Sequence, residues 1–512
     1  MVHLEGALCY EAWEKALPLD DPKRDFLLTG IKDGFKITTT PHLGPNVWQN
    51  NYKSATCPDN FNLVEAQIYE ELANGRYRIA KNRPTIISAL GAIPKSTPGQ
   101  IRLIHDCSRP HGFSLNSLAE NEKFSFQSIQ DAVDMVTPGC YLAKIDLSAA
   151  YRSVKIHPSE HTLAGLSWTF TGDNHPTIIY DTRLMFGARQ APQIFNELSQ
   201  AVKRIMNFRG LQRIVCYLDD FLILGDSRQI VSKWTLELIT LLRYLGFSIN
   251  YNKVMGPAQS LEFLGVEFDT TACVLRLSKL KMSRLLSDVK QLMSKSSASK
   301  RDLQSLAGKL NWASQVIHGG RPHLRRILDR INTLKGPSHR TRITSDMKKD
   351  LSWWIDFAAL FNGALPMIDS RPMSPVCLDA CNLSGGGFYN GSWFNIPWST
   401  WPGASEKHIN YKEVLSLEPA ACLWAPFWAN RQVIVYCDNV AAVYLINKGT
   451  AKDSFVMDSL RRVFWLSAFW NFKLRAIYYP GHRNILADAA SRIHEPWALA
   501  SLTKALDNTF IY

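Results

Sequence analysis

Two adjacent carboxylates, Asp219 and Asp220, stand between two apolar runs, Ile214-Val215-Cys216-Tyr217-Leu218 before them and Phe221-Leu222-Ile223-Leu224 after. Each run has strand length and is bounded by a turn signal, Gly210 on one side and Gly225 on the other. The spacing predicts a hairpin whose tight turn carries both acids. Like charges at the tip of a buried hairpin are costly unless a cation offsets them, and a divalent metal would do so. A solvated turn is the plain alternative, because Asp is a common turn residue. A third acid, Asp146, ends another apolar run, Tyr141-Leu142-Ala143-Lys144-Ile145. If that strand lies beside the hairpin, three carboxylates converge. Such a donor set suits two Mg²⁺ ions and phosphoryl transfer.

Tyr217-Leu218-Asp219-Asp220 resembles the catalytic hairpin of reverse transcriptases, and Asp146 with Tyr151 five residues on resembles their first catalytic motif. The resemblance implies an RNA-directed DNA polymerase. Asp146, Leu147, Asp219 and Asp220 would surround two Mg²⁺, with Mn²⁺ as a substitute. Ile86-Ile87-Ser88-Ala89-Leu90, the turn Pro94-Lys95-Ser96-Thr97-Pro98-Gly99 and Ile101-Arg102-Leu103-Ile104-His105-Asp106 read as strand, turn and strand. Lys95 and Arg102 flank that turn. Alone they are two solvated charges, but in the family a Lys and an Arg of this hairpin grip the nucleotide triphosphate, which is sound chemistry for cations. Leu147 joins the nucleotide-binding set. Tyr151, otherwise a core aromatic, would stand beside the sugar and exclude a 2′-hydroxyl.

Arg183-Leu184-Met185-Phe186-Gly187 is similar to the family's template-positioning motif but lacks its Pro. Gly187 permits close backbone approach, and Ala191-Pro192 opens a helix. Asn250-Tyr251-Asn252-Lys253 matches a motif whose Lys faces the leaving pyrophosphate; a surface Lys is the alternative. Leu261-Glu262-Phe263-Leu264-Gly265-Val266-Glu267-Phe268 reads as a hairpin and resembles the primer grip.

A second set of acids follows Val376. Val376-Cys377-Leu378-Asp379 and Val433-Ile434-Val435-Tyr436-Cys437-Asp438 are strands ending in an acid. Asn410-Tyr411-Lys412-Glu413 opens a helix with Glu413 in its first turn, Asn439 starts another, and Ala487-Asp488-Ala489-Ala490 places an acid on a last helix. Each acid alone reads as a cap or a solvated side chain. Together, in β–β–α–β–α order, they resemble the ribonuclease H fold and its metal-binding quartet, here Asp379, Glu413, Asp438 and Asp488. His482 in the preceding loop is a candidate for proton transfer or product release, though a loop His is more often just exposed.

The elements that must position these groups define an α/β and α+β multidomain chain. The resemblance implies a right-hand polymerase of fingers, palm and thumb followed by a ribonuclease H-like α/β domain. The expected divisions are an N-terminal extension (1–80), fingers and palm (81–270), a helical basic thumb (271–345), a linker helix (346–371), the ribonuclease H-like domain (372–493) and a tail (494–512). Asn62 to Ala73, Phe124 to Val136 and Val231 to Tyr244 read as helices, the last closed by Gly246. In the thumb, Leu285, Leu286, Val289, Leu292 and Met293 form one apolar stripe and Leu303, Leu306, Ala307 and Leu310 another, separated by Ser296-Ser297-Ala298-Ser299.

The 512 residues carry a net charge of +13, which favours a polyanionic partner. Residues 276–349 hold 18 Lys and Arg against 4 acids, a local +14 that exceeds the excess of the whole chain. This segment is expected to lie along a duplex backbone, with Arg325 and Arg326 on phosphates. No apolar run is long enough for a membrane span. Met1 to Gly6 lacks a secretory pattern, and ten Cys without regular pairing suit reduced thiols in the cytoplasm or nucleus. Cys377 and Cys381 read as packing residues. The implied partners are an RNA template, a DNA primer, RNA–DNA hybrid, deoxynucleoside triphosphates and other element-encoded proteins. Trp353-Trp354 with the motifs around Asp438, His482 and Asp488 resembles the DIRS retroelements, which move with a tyrosine recombinase, and implies a piece of a larger element. The alternatives are a nucleic-acid-binding derivative without polymerisation and a DNA-templated polymerase. Seven intact carboxylates disfavour the first, and the ribonuclease H resemblance disfavours the second.

Overall fold

The computed structural model describes residues 6–95, 99–120, 124–317, 319–362 and 365–509. Ser96, Thr97 and Pro98 of the expected fingers turn, and Met1 to Glu5, lie outside these residues. The chain forms two compact units, one of residues 1–264 and 268–272, the other of 265–267 and 273–512.

The first unit is built on an antiparallel sheet ordered Ser248–Ile249, Tyr141–Ser148, Asp220–Gly225 and Ile214–Tyr217. Its strands are mostly buried, the exceptions including Lys144 and Asp220, which meet on neighbouring strands. Ala191–Phe208 begins with Pro192 in its first turn and buries Ile194, Phe195, Leu198, Ala201, Val202 and Ile205, the i, i+3, i+4 face of an amphipathic helix. Arg228–Tyr244 is capped by the Ser227 hydroxyl, which accepts from the Ile230 N–H at 3.2 Å, and ends before Gly246 as the sequence predicts.

A second sheet orders Val47–Trp48, Ile86–Ile87, Gly165–Trp168, Thr177–Asp181 and Tyr77–Ile79, with the hairpin Ala89–Pro94 and Ile101–Asp106 beside it. Strands from both sides of residue 80 pair within this sheet, so that boundary does not separate two bodies. The helix expected near Asn62 runs Pro58–Ala73. The one expected over Phe124 to Val136 forms only at Ile129–Val133. A capping box between Ser128 and Asp131 starts it late, and Phe126 packs instead on Tyr217 of the acidic hairpin, ring centres 5.1 Å apart.

In the second unit, Lys279–Ser294 buries Met282, Leu285, Val289 and Leu292, while Leu286 and Met293 stay half-exposed at the edge of the stripe. Lys300–Ala313 buries all four residues of its expected stripe. The serine spacer is itself a strand, Ser297–Ser299, paired with Arg340–Arg342. Residues 346–371 are not a free linker. Ser345–Phe361 is a 17-residue helix with Met347, Asp350, Leu351, Trp353, Trp354, Ala358 and Phe361 buried. Arg326 donates to Asp350 at 2.7 Å and to Asp458 at 3.0 Å, Arg325 pairs with Asp329 at 2.7 Å, and Arg461 donates to Asp458 at 2.6 Å. These two arginines were expected on phosphate; protein carboxylates hold them instead.

The C-terminal sheet of this unit orders Ser392–Pro397, Ser384–Tyr389, Met373–Ala380, Gln432–Cys437 and Lys473–Tyr478. The first three are antiparallel, and the last two run parallel to Met373–Ala380. Two of its strands, Ser392–Pro397 and Lys473–Tyr478, are additions to the order read from sequence. Among the described residues no helix is long and apolar enough to cross a membrane. All ten cysteines are free thiols, and the buried Cys381 donates to the Ser491 carbonyl at 3.2 Å.

Candidate active sites

Asp146 lies near the end of its strand and pairs in register with Asp220, the first residue of the neighbouring strand. The hairpin turn is tight because Leu218 adopts φ +52°, and the Asp219 carbonyl accepts from the Leu147 N–H at 3.0 Å. One backbone register thus brings together the three carboxylates picked out from sequence. Burial, then the neighbouring Asp220, pushes Asp219 up to about 6; burial also raises Asp220, against the pull of Lys144. Lys144 pairs with Asp220 at 2.9 Å, and Lys253 pairs with Asp146 at 3.2 Å. The Asn250 amide donates to Asp146 at 3.1 Å. Lys144 and Asn250 were missed from sequence. Lys144 had a signal, since it stands two residues before Asp146 and so on the same strand face.

Tyr151 is buried, on a one-turn helix, Ala150–Ser153, that follows Ala149 in the left-handed region. Its ring stacks on Phe186 with centres 4.9 Å apart, and the Arg102 guanidinium lies over the same Phe186 ring at 5.1 Å. Gly187 has φ +126°, and a Cβ there would lie 1.9 Å from the His105 carbonyl oxygen, so the close approach read from sequence is real. Lys95 and Arg102 are exposed on the fingers hairpin, where the Lys95 N–H bonds the Gln100 carbonyl at 2.8 Å. Leu147 is buried and pairs with Ile249.

The second cluster stands at the ends of parallel strands. Asp379 is in Met373–Ala380 and Asp438 directly follows Gln432–Cys437. Asp488 is on Ile485–Ser491. Glu413 is on Ile409–Leu415; the helix starts at Ile409, one residue earlier than expected, and Glu413 is buried. Burial, then Asp379 and Asp438, pushes Glu413 up to about 9, and burial pushes Asp379 up to about 6 against the hydrogen bond from Ser491. The ligand atoms of Glu413, Cys437 and Asp438 lie within 4.8 Å of one another. The Ser491 hydroxyl donates to Asp379 at 2.5 Å, and Arg492 donates to Asp488 at 2.6 Å. Ser491 falls one turn after Asp488, a spacing that marked it as a neighbour in the sequence. Gly386 lets the last helix approach, since a Cβ there would be 2.2 Å from the Ser491 nitrogen. His482 lies on the short Gly481–Arg483 turn.

These two units have the fold of a right-hand polymerase followed by a ribonuclease H-like domain. Residues 93–268 match the family model described as reverse transcriptase (RNA-dependent DNA polymerase). The genome polyprotein of Petunia vein clearing virus is 20% identical over 410 residues, in both the Shepherd and Hohn isolates; the match covers 74% of this chain, which spans 16% of the length of those polyproteins. The foamy viral protease–reverse transcriptase bound to double-stranded DNA shares the fold with a TM-score of 0.52 at 16% identity, covering 94% of this chain and 98% of that one. The same foamy viral protein bound to RNA/DNA hybrid gives 0.52 at 14% identity, covering 91% of this chain and 62% of the other.

Proposed function

We propose that this chain is an RNA-directed DNA polymerase with a second, ribonuclease H site that degrades the RNA strand of the hybrid. The observation that carries the polymerase reading is the register pairing of Asp146 with Asp220 beside Asp219. Three oxygen-donor side chains against two ammonium groups fit Mg²⁺, as do four carboxylates at the second site. Two bound Mg²⁺ would supply charge neutralisation and activate the attacking oxygen. At the polymerase site, Lys95 and Arg102 hold the triphosphate, Tyr151 faces the sugar, and Gly187, with the His105 carbonyl packed against it, shapes the turn that positions the template. Lys253, which pairs with Asp146, is the residue that would meet the leaving pyrophosphate. At the second site, Ser491 and Arg492 orient Asp379 and Asp488. The domain plan assigns fingers and palm to the first unit, and the thumb and ribonuclease H-like domain to 271–345 and 372–493. The DIRS-like motifs support a retroelement origin with a recombinase partner. Extension of a primer on poly-rA with Mg²⁺, with release of cleaved hybrid RNA in the same tube, tests the reading; absence of both products would refute it.

Tyr151→Val is expected to admit ribonucleotides, because removing the ring opens space where a 2′-hydroxyl would lie. The ratio of deoxy- to ribonucleotide kcat/KM should fall at least about tenfold while deoxynucleotide kcat changes less. An unchanged ratio would show that Tyr151 is not the gate.

Arg326→Ala is expected to lower the melting temperature, because Asp350 is left buried without its closest partner; the loss is about 3 kcal/mol. It should leave the salt dependence of hybrid binding unaltered. Lys279 and Lys290 are exposed and three turns apart on one helix face. Replacing both by Ala should flatten the slope of log affinity against log salt by up to about 2. Calorimetry and a salt titration of both variants separate the two roles.

A further inference from the structure

Arg152, the residue after Tyr151, is largely buried, with 11% of its side chain exposed, and uses every donor it has. A guanidinium carries five N–H groups. Nε and Nη2 donate to Glu71 at 3.0 and 2.6 Å, Nη1 and Nη2 to Asp181 at 2.7 and 3.0 Å, and Nη1 to the Leu184 carbonyl at 3.2 Å. Those partners come from the Pro58–Ala73 helix, the Thr177–Asp181 strand and the loop leading to Gly187. The same guanidinium lies over the Tyr77 ring at 5.3 Å, and the Tyr77 hydroxyl bonds His105 Nε2 at 2.9 Å. The His105 backbone N–H donates to the Phe186 carbonyl at 2.9 Å, and Phe186 stacks on Tyr151. The contacts close a ring: Tyr151, Arg152, Tyr77, His105, Phe186 and back to Tyr151. Arg76, paired with Glu71 at 3.4 Å, and Arg183, next to Thr182, complete the charges around it.

We propose that Arg152, clamped by Glu71 and Asp181, is a positioning residue that sets where the Tyr151 ring stands, and so sets discrimination between deoxy- and ribonucleotides. It touches no substrate itself. The inference rests on the reading of Tyr151 as the sugar gate. The chemistry singles out arginine. Two buried carboxylates from separate elements and a carbonyl need a planar five-donor fork, whereas lysine offers one compact ammonium with three donors. Lysine keeps the charge, so neither carboxylate is left buried without a cation, but it cannot hold all three partners in one geometry. A ring displaced by a fraction of an ångström loses its steric contact with a 2′-hydroxyl before it loses its fold.

The test is steady-state incorporation of deoxy- and ribonucleotides by Arg152→Lys, Glu71→Gln, Tyr151→Val and the double variant Tyr151→Val/Arg152→Lys. The expected result is a discrimination ratio lowered about tenfold in Arg152→Lys and about threefold in Glu71→Gln, with hybrid affinity unchanged. In the double variant the ratio should match Tyr151→Val alone, because the clamp acts through the ring. Leu166→Ala, a cavity in the fingers core, is the control for general softening and should slow both nucleotides alike. If Tyr151→Val alters the ratio and Arg152→Lys does not, the clamp proposal falls and the gate stands. If the two losses add in full, Arg152 acts independently of Tyr151 and the proposal also falls. If Tyr151→Val leaves the ratio unchanged, it is the gate reading that fails. Should Arg152→Lys not fold, Glu71→Gln decides, and an unaltered ratio there overturns the proposal.

Discussion

Asp219→Asn is expected to abolish DNA synthesis, by at least about 100-fold in kcat/KM, while leaving hybrid cleavage at its wild-type rate. The loss follows from removing one charged oxygen ligand where the developing phosphate charge must be offset, an effect worth several kcal/mol. The fold should not suffer. Asp219 is pushed up to about 6 by burial and by Asp220, so metal-free protein bears a cost for keeping it ionised near neutral pH. An amide of the same shape removes that cost, and the melting temperature without metal should stay level or rise by a few degrees. Cleavage should survive because Asp379, Glu413, Asp438 and Asp488 belong to the other unit. Loss of both activities in a protein with an intact melting transition would sink the two-site reading.

Glu413→Gln is the mirror case, with a pH signature as well. It is expected to reduce hybrid cleavage at least about 100-fold and leave synthesis alone. Burial holds Glu413 near 9, far above its ordinary 4.5. Between those values the folded, metal-free protein keeps a proton that the unfolded chain has released. Its contribution to stability is therefore fully present below about 4.5 and lost as pH rises through about 9, with a slope of at most about 1.4 kcal/mol per unit. Glutamine mimics the protonated acid, so the variant should lose that slope and exceed wild type in metal-free stability at pH 8. Metal must displace the proton, so stabilisation of wild type by Mg²⁺ should grow from pH 6 to pH 9 and be weaker in the variant. Thermal unfolding across pH, with and without Mg²⁺, reads both effects. A wild-type curve in which stabilisation by Mg²⁺ does not change with pH would contradict the assignment of Glu413 as a ligand.

The sequence by itself determined the local features of both sites. Apolar runs ending on acids made strands with Asp146, Asp379 and Asp438 at or near their ends, because a two-residue period and turn chemistry are local properties. Asp219 and Asp220 were legible as a hairpin tip, and Pro192 and Gly246 as helix ends, for the same reason; the Ser227 cap, which starts its helix three residues before the expected Val231, was not. What tertiary structure decided was who faces whom. That Asp220 pairs with Asp146 is a matter of register between strands some seventy residues apart, and Lys144 and Asn250 joined them only through it. Glu413 was legible as an acid early in a helix, but its burial came from the packing of that helix, in which Lys412, Val414 and Leu415 are buried beside it. The basic segment shows the limit most clearly. Counting charges could not tell that Arg326 would meet Asp350 and Asp458, the latter 132 positions along the chain. A charge in a sequence has no partner until packing supplies one, and that partner decides whether it binds phosphate or holds the protein together.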